Sequence, residues 1–175
     1  MTMITFVESG MTFGPYPPED FYRIEDASLW QQSWMHKDRV KCVEGILLRY
    51  KRATPLVCLI EAKTNVPRDA EALQEYASKL CQKILYSAHL WLNLKVGRMR
   101  CTDFPHNHQE LANEAFQLLP IVVIKEAQNT WLAPLRDELA RYLRDHLKSL
   151  GNKLGYLDAV VLNEKMAQKK GFLQQ

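Results

Sequence analysis

Two apolar runs separated by a short polar break constrain this chain more than any other feature. Residues 40–50 are rich in β-branched and aliphatic side chains, Arg52-Ala53-Thr54-Pro55 interrupts them, and residues 56–62 are apolar again. The pattern predicts an antiparallel hairpin. Its apolar character is almost continuous, with little polar alternation, so both faces of the sheet need cover. The expectation is an α/β domain in which a mixed β-sheet is flanked by helices on both sides.

Size allows this. With 175 residues, 47% of them hydrophobic and 25% charged, a single domain over residues 1–175 removes roughly 70% of the unfolded chain's surface from water. Neither metal nor disulfide is needed as a staple. The four cysteines, Cys42, Cys58, Cys81 and Cys101, form no close pair, and neither a signal-peptide pattern nor a glycosylation sequon accompanies them. They read as reduced thiols of a cytoplasmic protein. The most apolar stretch, residues 118–124, is far shorter than the roughly 20 residues that cross a bilayer. No membrane partner is expected.

Along the chain, residues 3–13 read as a strand, and Gly14-Pro15-Tyr16-Pro17-Pro18 as a rigid turn. Residues 21–25 alternate as a short strand, and residues 27–35 make about two helical turns with Asp26 as N-cap. Pro67 and Asp69 open a long helix in which Leu73, Ala77, Leu80, Ile84, Ala88 and Trp91 recur every three or four residues, and Gly97 ends it. A short helix over residues 109–117 leads to a strand over 118–125, where Pro120 limits how the strand begins. A second amphipathic helix follows, capped by Thr130 and stopped by Gly151, then a strand over 156–162 and a basic helix over 163–170.

Charge is unevenly divided. The first 36 residues hold five acids and one base, a net −4, which leaves +7 for the rest. That excess suits a polyanion and equally suits ordinary solvated faces.

The chemistry-bearing pattern sits on the hairpin. Glu44 lies near the start of its first strand, and Glu61-Ala62-Lys63 closes the second, 17 residues on from Glu44. Alternation puts Glu61 and Lys63 on one face. Carboxylates from two adjacent strands can converge on a hard cation such as Mg²⁺, with an ammonium beside it for a phosphate or a water. Read plainly, the same residues are an exposed ion pair at a strand end.

Val43-Glu44-Gly45 through Leu59-Ile60-Glu61-Ala62-Lys63 resembles the PD-(D/E)xK nuclease superfamily over residues 40–86. The resemblance implies a restriction-endonuclease-like core of αβββαβ order. It also implies Mg²⁺ (or Mn²⁺) held by Glu44, Glu61 and the backbone carbonyl of Ala62, and a water positioned by Lys63. Glu44 stands where that family usually has aspartate, and Val43 where it has proline. The third strand has to come from before Ala27. An acid near the first helix often completes such sites, with Glu25 preferred here over Glu8; Glu25 also reads as a solvated turn residue. Gln82-Lys83-Ile84-Leu85-Tyr86 carries the QxxxY spacing of RecB-type nucleases, so Gln82 and Tyr86 are candidate nucleic-acid contacts. Arg49, Arg52, Lys83 and the row Arg136, Arg141, Arg144 and Lys148 are candidate guides for a polyanion.

Other signals have plainer explanations. The loop holding Cys101, His106 and His108 lacks the paired ligands of structural zinc, and its histidines are expected at solvent or phosphate. GxSxG, GxGxxG and GxxxxGKS/T do not occur. Trp91 belongs to the core stripe, whereas Trp30 and Trp34 suit a partner or a second copy. The resulting expectation is a metal-dependent nuclease acting on DNA in genome maintenance or anti-phage defence. The alternative is a non-enzymatic interaction subunit.

Overall fold

The computed structural model describes residues 2–28, 41–51, 54–112, 116–147 and 157–174. The helix expected over 27–35 lies almost wholly outside them, as do Trp30, Trp34, Arg52 and Lys148. Five strands form one mixed sheet in the order β3-β4-β5-β6-β7: β3 (Phe21–Tyr22), β4 (Gly45–Lys51), β5 (Thr54–Lys63), β6 (Gln117–Ile124) and β7 (Val160–Asn163). β4 is antiparallel to both of its neighbours, β3 and β5; β6 and β7 run parallel to β5. The expected hairpin is present, with Gly45 opposite Ile60 and Lys51 opposite Thr54. Its first strand starts at Gly45, later than the apolar run suggests.

The parallel step from β5 to β6 needs a crossover, and α1 (Ala70–Lys95) supplies it. Asp69 caps α1 by accepting the Ala72 N–H at 2.8 Å, and Gly97 at φ 71° follows its C-terminus, both as expected. A short α2 (His106–Glu110) leads to β6. Pro120 sits inside β6, one residue before pairing with β7 begins at Ile121, so its missing N–H costs no ladder bond. α3 (Asn129–Leu147) buries Leu132, Leu135, Leu139 and Leu143, and the six-residue α4 (Glu164–Lys169) is capped by Asn163.

The two faces of the sheet are covered differently. Val57 and Leu59 of β5 pack with α1 and α3, whereas Cys58, Ile60 and Ala62 pack with the N-terminal segment, α4 and Phe172. The second cover is largely a β-hairpin, where helices were expected on both faces. It comprises β1 (Ile4–Glu8) and β2 (Met11–Tyr16), joined through Ser9 and Gly10 at φ 51° and 70°. Two consecutive positive φ angles match the twist of a tight hairpin. The expected turn at Gly14-Pro15 is instead strand: a Cβ on Gly14 would lie 2.5 Å from the Ile4 carbonyl oxygen, and glycine alone admits that approach. No helix among the described residues is long and apolar enough to cross a membrane.

Candidate functional site

The hairpin register decides which side chains meet. Gly45 pairs with Ile60, so one further step sets Glu44 opposite Glu61, and opposed residues of antiparallel strands point to the same face. That face is the α1 side, because Glu61 and Lys63 follow Val57 and Leu59 at two-residue intervals, and Glu44 precedes Ile46 and Leu48 likewise. α1 answers with Lys83. Its Nζ donates to Glu61 Oε1 at 2.7 Å and lies 3.8 Å from Glu44 Oε1, while Lys63 Nζ is 2.5 Å from the same Glu61 oxygen.

Ser87 fixes this geometry one turn beyond Lys83. Its buried hydroxyl donates to the Lys83 carbonyl and accepts the Val43 N–H, both at 2.8 Å, so the backbone before Glu44 is fastened to the helix that carries Lys83.

The electrostatics are those of a crowded, poorly solvated cluster. Glu61 has no exposed surface, both ammonium contacts fall on Oε1, and Oε2 has no hydrogen-bond partner among the described residues. A buried carboxylate oxygen left so is costly unless something else uses it. The Glu44 carboxyl is pushed up to about 7, first by burial, then by Glu61 and Glu8, with Lys83 opposing and Glu25 adding a little. For Lys83, burial works against the ammonium, but Glu61 and Glu44 outweigh it and the net direction is upward. Tyr76, seven residues before Lys83, is also raised, by burial and then by Glu61, and its hydroxyl donates to the Asn65 carbonyl at 2.9 Å.

As donors for a hard divalent cation, two carboxylates and the Ala62 carbonyl have the right chemistry, and the unpartnered Glu61 Oε2 fits such a role. No three His, Cys, Asp or Glu side chains among the described residues are gathered as metal ligands. Glu25 is an exposed turn residue whose charge reaches Glu44 without joining the cluster.

The remaining candidates lie elsewhere. Gln82 and Tyr86 are on the exposed surface of α1, with Tyr86 52% accessible, so it is Lys83 between them that turns inward to Glu61. Arg49 shares the hairpin side of the sheet with Leu47. It stacks over Phe172 at 4.0 Å and donates to the carbonyls of Lys170, at 2.8 Å, and Gly171, closing the end of α4. Arg136 and Arg141 pair with Asp137 and Glu138 on the exposed side of α3. Treating Lys83 as a peripheral guide missed its place in the cluster. A signal existed: residues 76, 80, 83 and 87 follow one another at helical spacing, placing Lys83 beside buried Leu80.

His108 corrects another expectation. It is fully buried, with Nδ1 accepting the Trp91 indole N–H at 2.8 Å and Nε2 2.8 Å from the Asp20 carbonyl. Accepting at Nδ1 leaves the proton on Nε2, which donates to Asp20, so the ring is neutral and fully used. Burial lowers its pKa accordingly. Cys101 lies 2.6 Å from an Asp103 carboxylate oxygen that also accepts from the Ser28 hydroxyl, tying this loop to residues 21–28.

Comparison with family models, with characterised proteins and with solved structures found no match to this chain.

Proposed function

We propose that this protein is a metal-dependent nuclease that hydrolyses phosphodiester bonds in nucleic acid, with DNA as the substrate. The observation that carries the reading is the pairing of two buried carboxylates on neighbouring strands, Glu44 and Glu61, with Lys63 beside Glu61 and one Glu61 oxygen unpartnered. The order β3-β4-β5-α1-β6 gives further support, since it follows the βββαβ part of the core that the sequence resemblance implies. β3 supplies the strand expected from before Ala27.

In this reading Glu44, Glu61 and the Ala62 carbonyl hold Mg²⁺ or Mn²⁺. Bound there, the cation supplies Lewis acidity toward the phosphodiester and makes water nucleophilic at neutral pH. The protein's own part is positional. The β4–β5 register brings the carboxylates together, Ser87 locks the approach to Glu44, and Lys63, at 29% side-chain exposure the more accessible lysine, meets the phosphate or orients the water.

The test is cleavage of labelled single- and double-stranded DNA and RNA with Mg²⁺, with Mn²⁺ and with EDTA. Metal-dependent cleavage should fall by about 100-fold or more in both Glu61→Ala and Lys63→Ala. Folded wild type that cuts none of the four substrates overturns the proposal. One observation favours the second reading, a non-enzymatic interaction subunit: Lys63 and Lys83 already balance the charge of Glu44 and Glu61. That reading requires no cleavage by wild type or variants.

A further inference from the structure

We propose that Lys83 is an internal counter-cation holding the place of the metal between Glu44 and Glu61, and that metal binding proceeds by displacing its ammonium. The inference rests on the reading of those two acids as metal ligands. Among the described residues, Lys83 Nζ is the cationic group that lies near both carboxylates, 2.7 Å from Glu61 Oε1 and 3.8 Å from Glu44 Oε1. Lys63 contacts Glu61 from the exposed side. A position shared by both acids is where a cation bridging them has to sit, and it holds one cation at a time.

Charge balance points the same way. With both lysines in place, two carboxylates face two ammoniums; a divalent ion added without displacement would leave the cluster at +2 in surroundings that penalise unbalanced charge. Departure of Lys83 lowers that excess to +1, which a phosphodiester's single negative charge cancels. Glu8 and Glu25 also raise the Glu44 carboxyl, Glu8 by more than Lys83 lowers it, and among the described residues neither forms an ion pair with Lys63 or Lys83. The exchange thus gives a site assembled before metal arrives and charge-matched to substrate afterwards. The unpartnered Glu61 Oε2 is a ligand atom that Lys83 leaves free for the incoming ion.

The test is calorimetric titration of Mn²⁺ into wild type, Lys83→Met, Lys83→Gln and Lys83→Arg, each checked for folding by circular dichroism. Removing the competitor should tighten Mn²⁺ binding about tenfold or more in Met and Gln variants, and Lys83→Arg, which keeps the charge, should gain nothing. The Gln variant retains a polar group toward Glu61 if the Met variant fails to fold. Mn²⁺ affinity unchanged or weakened in the neutral variants overturns the exchange while leaving a metal site in wild type. No binding to any of the four proteins overturns both the exchange and the metal-site reading. A wild type that binds Mn²⁺ tightly enough to measure but cuts nothing removes the nuclease function alone, and a tenfold gain in the neutral variants still supports the exchange.

Discussion

The two faces of the central sheet are built from the same strands and end differently. Toward the β1–β2 hairpin, β5 runs Cys58, Ile60, Ala62, apolar to its last residue; toward α1 it runs Val57, Leu59, Glu61, Lys63, ending on a carboxylate with no exposed surface and the lysine paired with it. Both faces are covered and both are packed, so closing the sheet does not require the charge. Burial of a carboxylate costs several kcal/mol before partners compensate. An ionic cluster on one face alone is therefore poorly explained by stability, which is what the proposed metal-site reading addresses.

That contrast can be broken directly. Lys83→Leu should destabilise the metal-free protein by about 2–3 kcal/mol, because Glu61 keeps only Lys63 and Glu44 loses its nearby cation. The double variant Glu61→Leu/Lys83→Leu, which gives this face the apolar character of the other, should return to within about 1 kcal/mol of wild type. Chemical denaturation reads both values. A double variant less stable than the single one would mean that the ion pairs are structural after all.

A smaller effect sharpens the comparison by pH. The folded Glu44 carboxyl, pushed up to about 7 from an ordinary value near 4.5, binds its proton more tightly than in the unfolded chain. Its stabilising contribution is therefore complete below about 4.5 and lost as pH rises through about 7. On the order of 2 kcal/mol should disappear across that window, and Glu44→Gln should flatten the slope of stability against pH. Denaturation midpoints at pH 5 and pH 8 decide it; equal slopes in variant and wild type would contradict the assignment. The least effect should come from Ser87→Ala, about 1 kcal/mol, because the buried Val43 N–H loses its acceptor. Amide exchange at Val43 reports this specifically, and protection equal to wild type would show that Ser87 does not hold the segment.

Much of the site was legible because strands encode faces in a period of two. The positions of Glu44, Glu61 and Lys63 along two apolar runs were enough to bring them together, once the break at residues 52–55 fixed the hairpin. The stripe and the caps of α1 are legible in the sequence, but the inward turn of Lys83 is not. Lys83 sits between Gln82 and Tyr86 in a familiar spacing, and the spacing drew attention to the two that face outward. A hydrophobic stripe marks the centre of the buried face and is silent about its edges, where a lysine's long stem reaches an acid on the sheet. His108 was misplaced for a similar reason: a polar loop sequence does not reveal that Trp91, 17 residues earlier, brings an indole N–H to its ring.

Local matters are readable in the order of residues alone: the β4–β5 hairpin, the caps of α1, the apolar stripes and the alternation that puts Glu61 and Lys63 on one face. These follow from sterics and periodicity within a few residues of each position. Packing of the whole chain sets α1 across its face of the sheet with Lys83 over Glu61, lays a β-hairpin on the opposite face, and turns Arg49 away to close α4. Those are contacts between segments far apart in the chain, set by which packing of whole faces excludes most water, and no single segment carries that information.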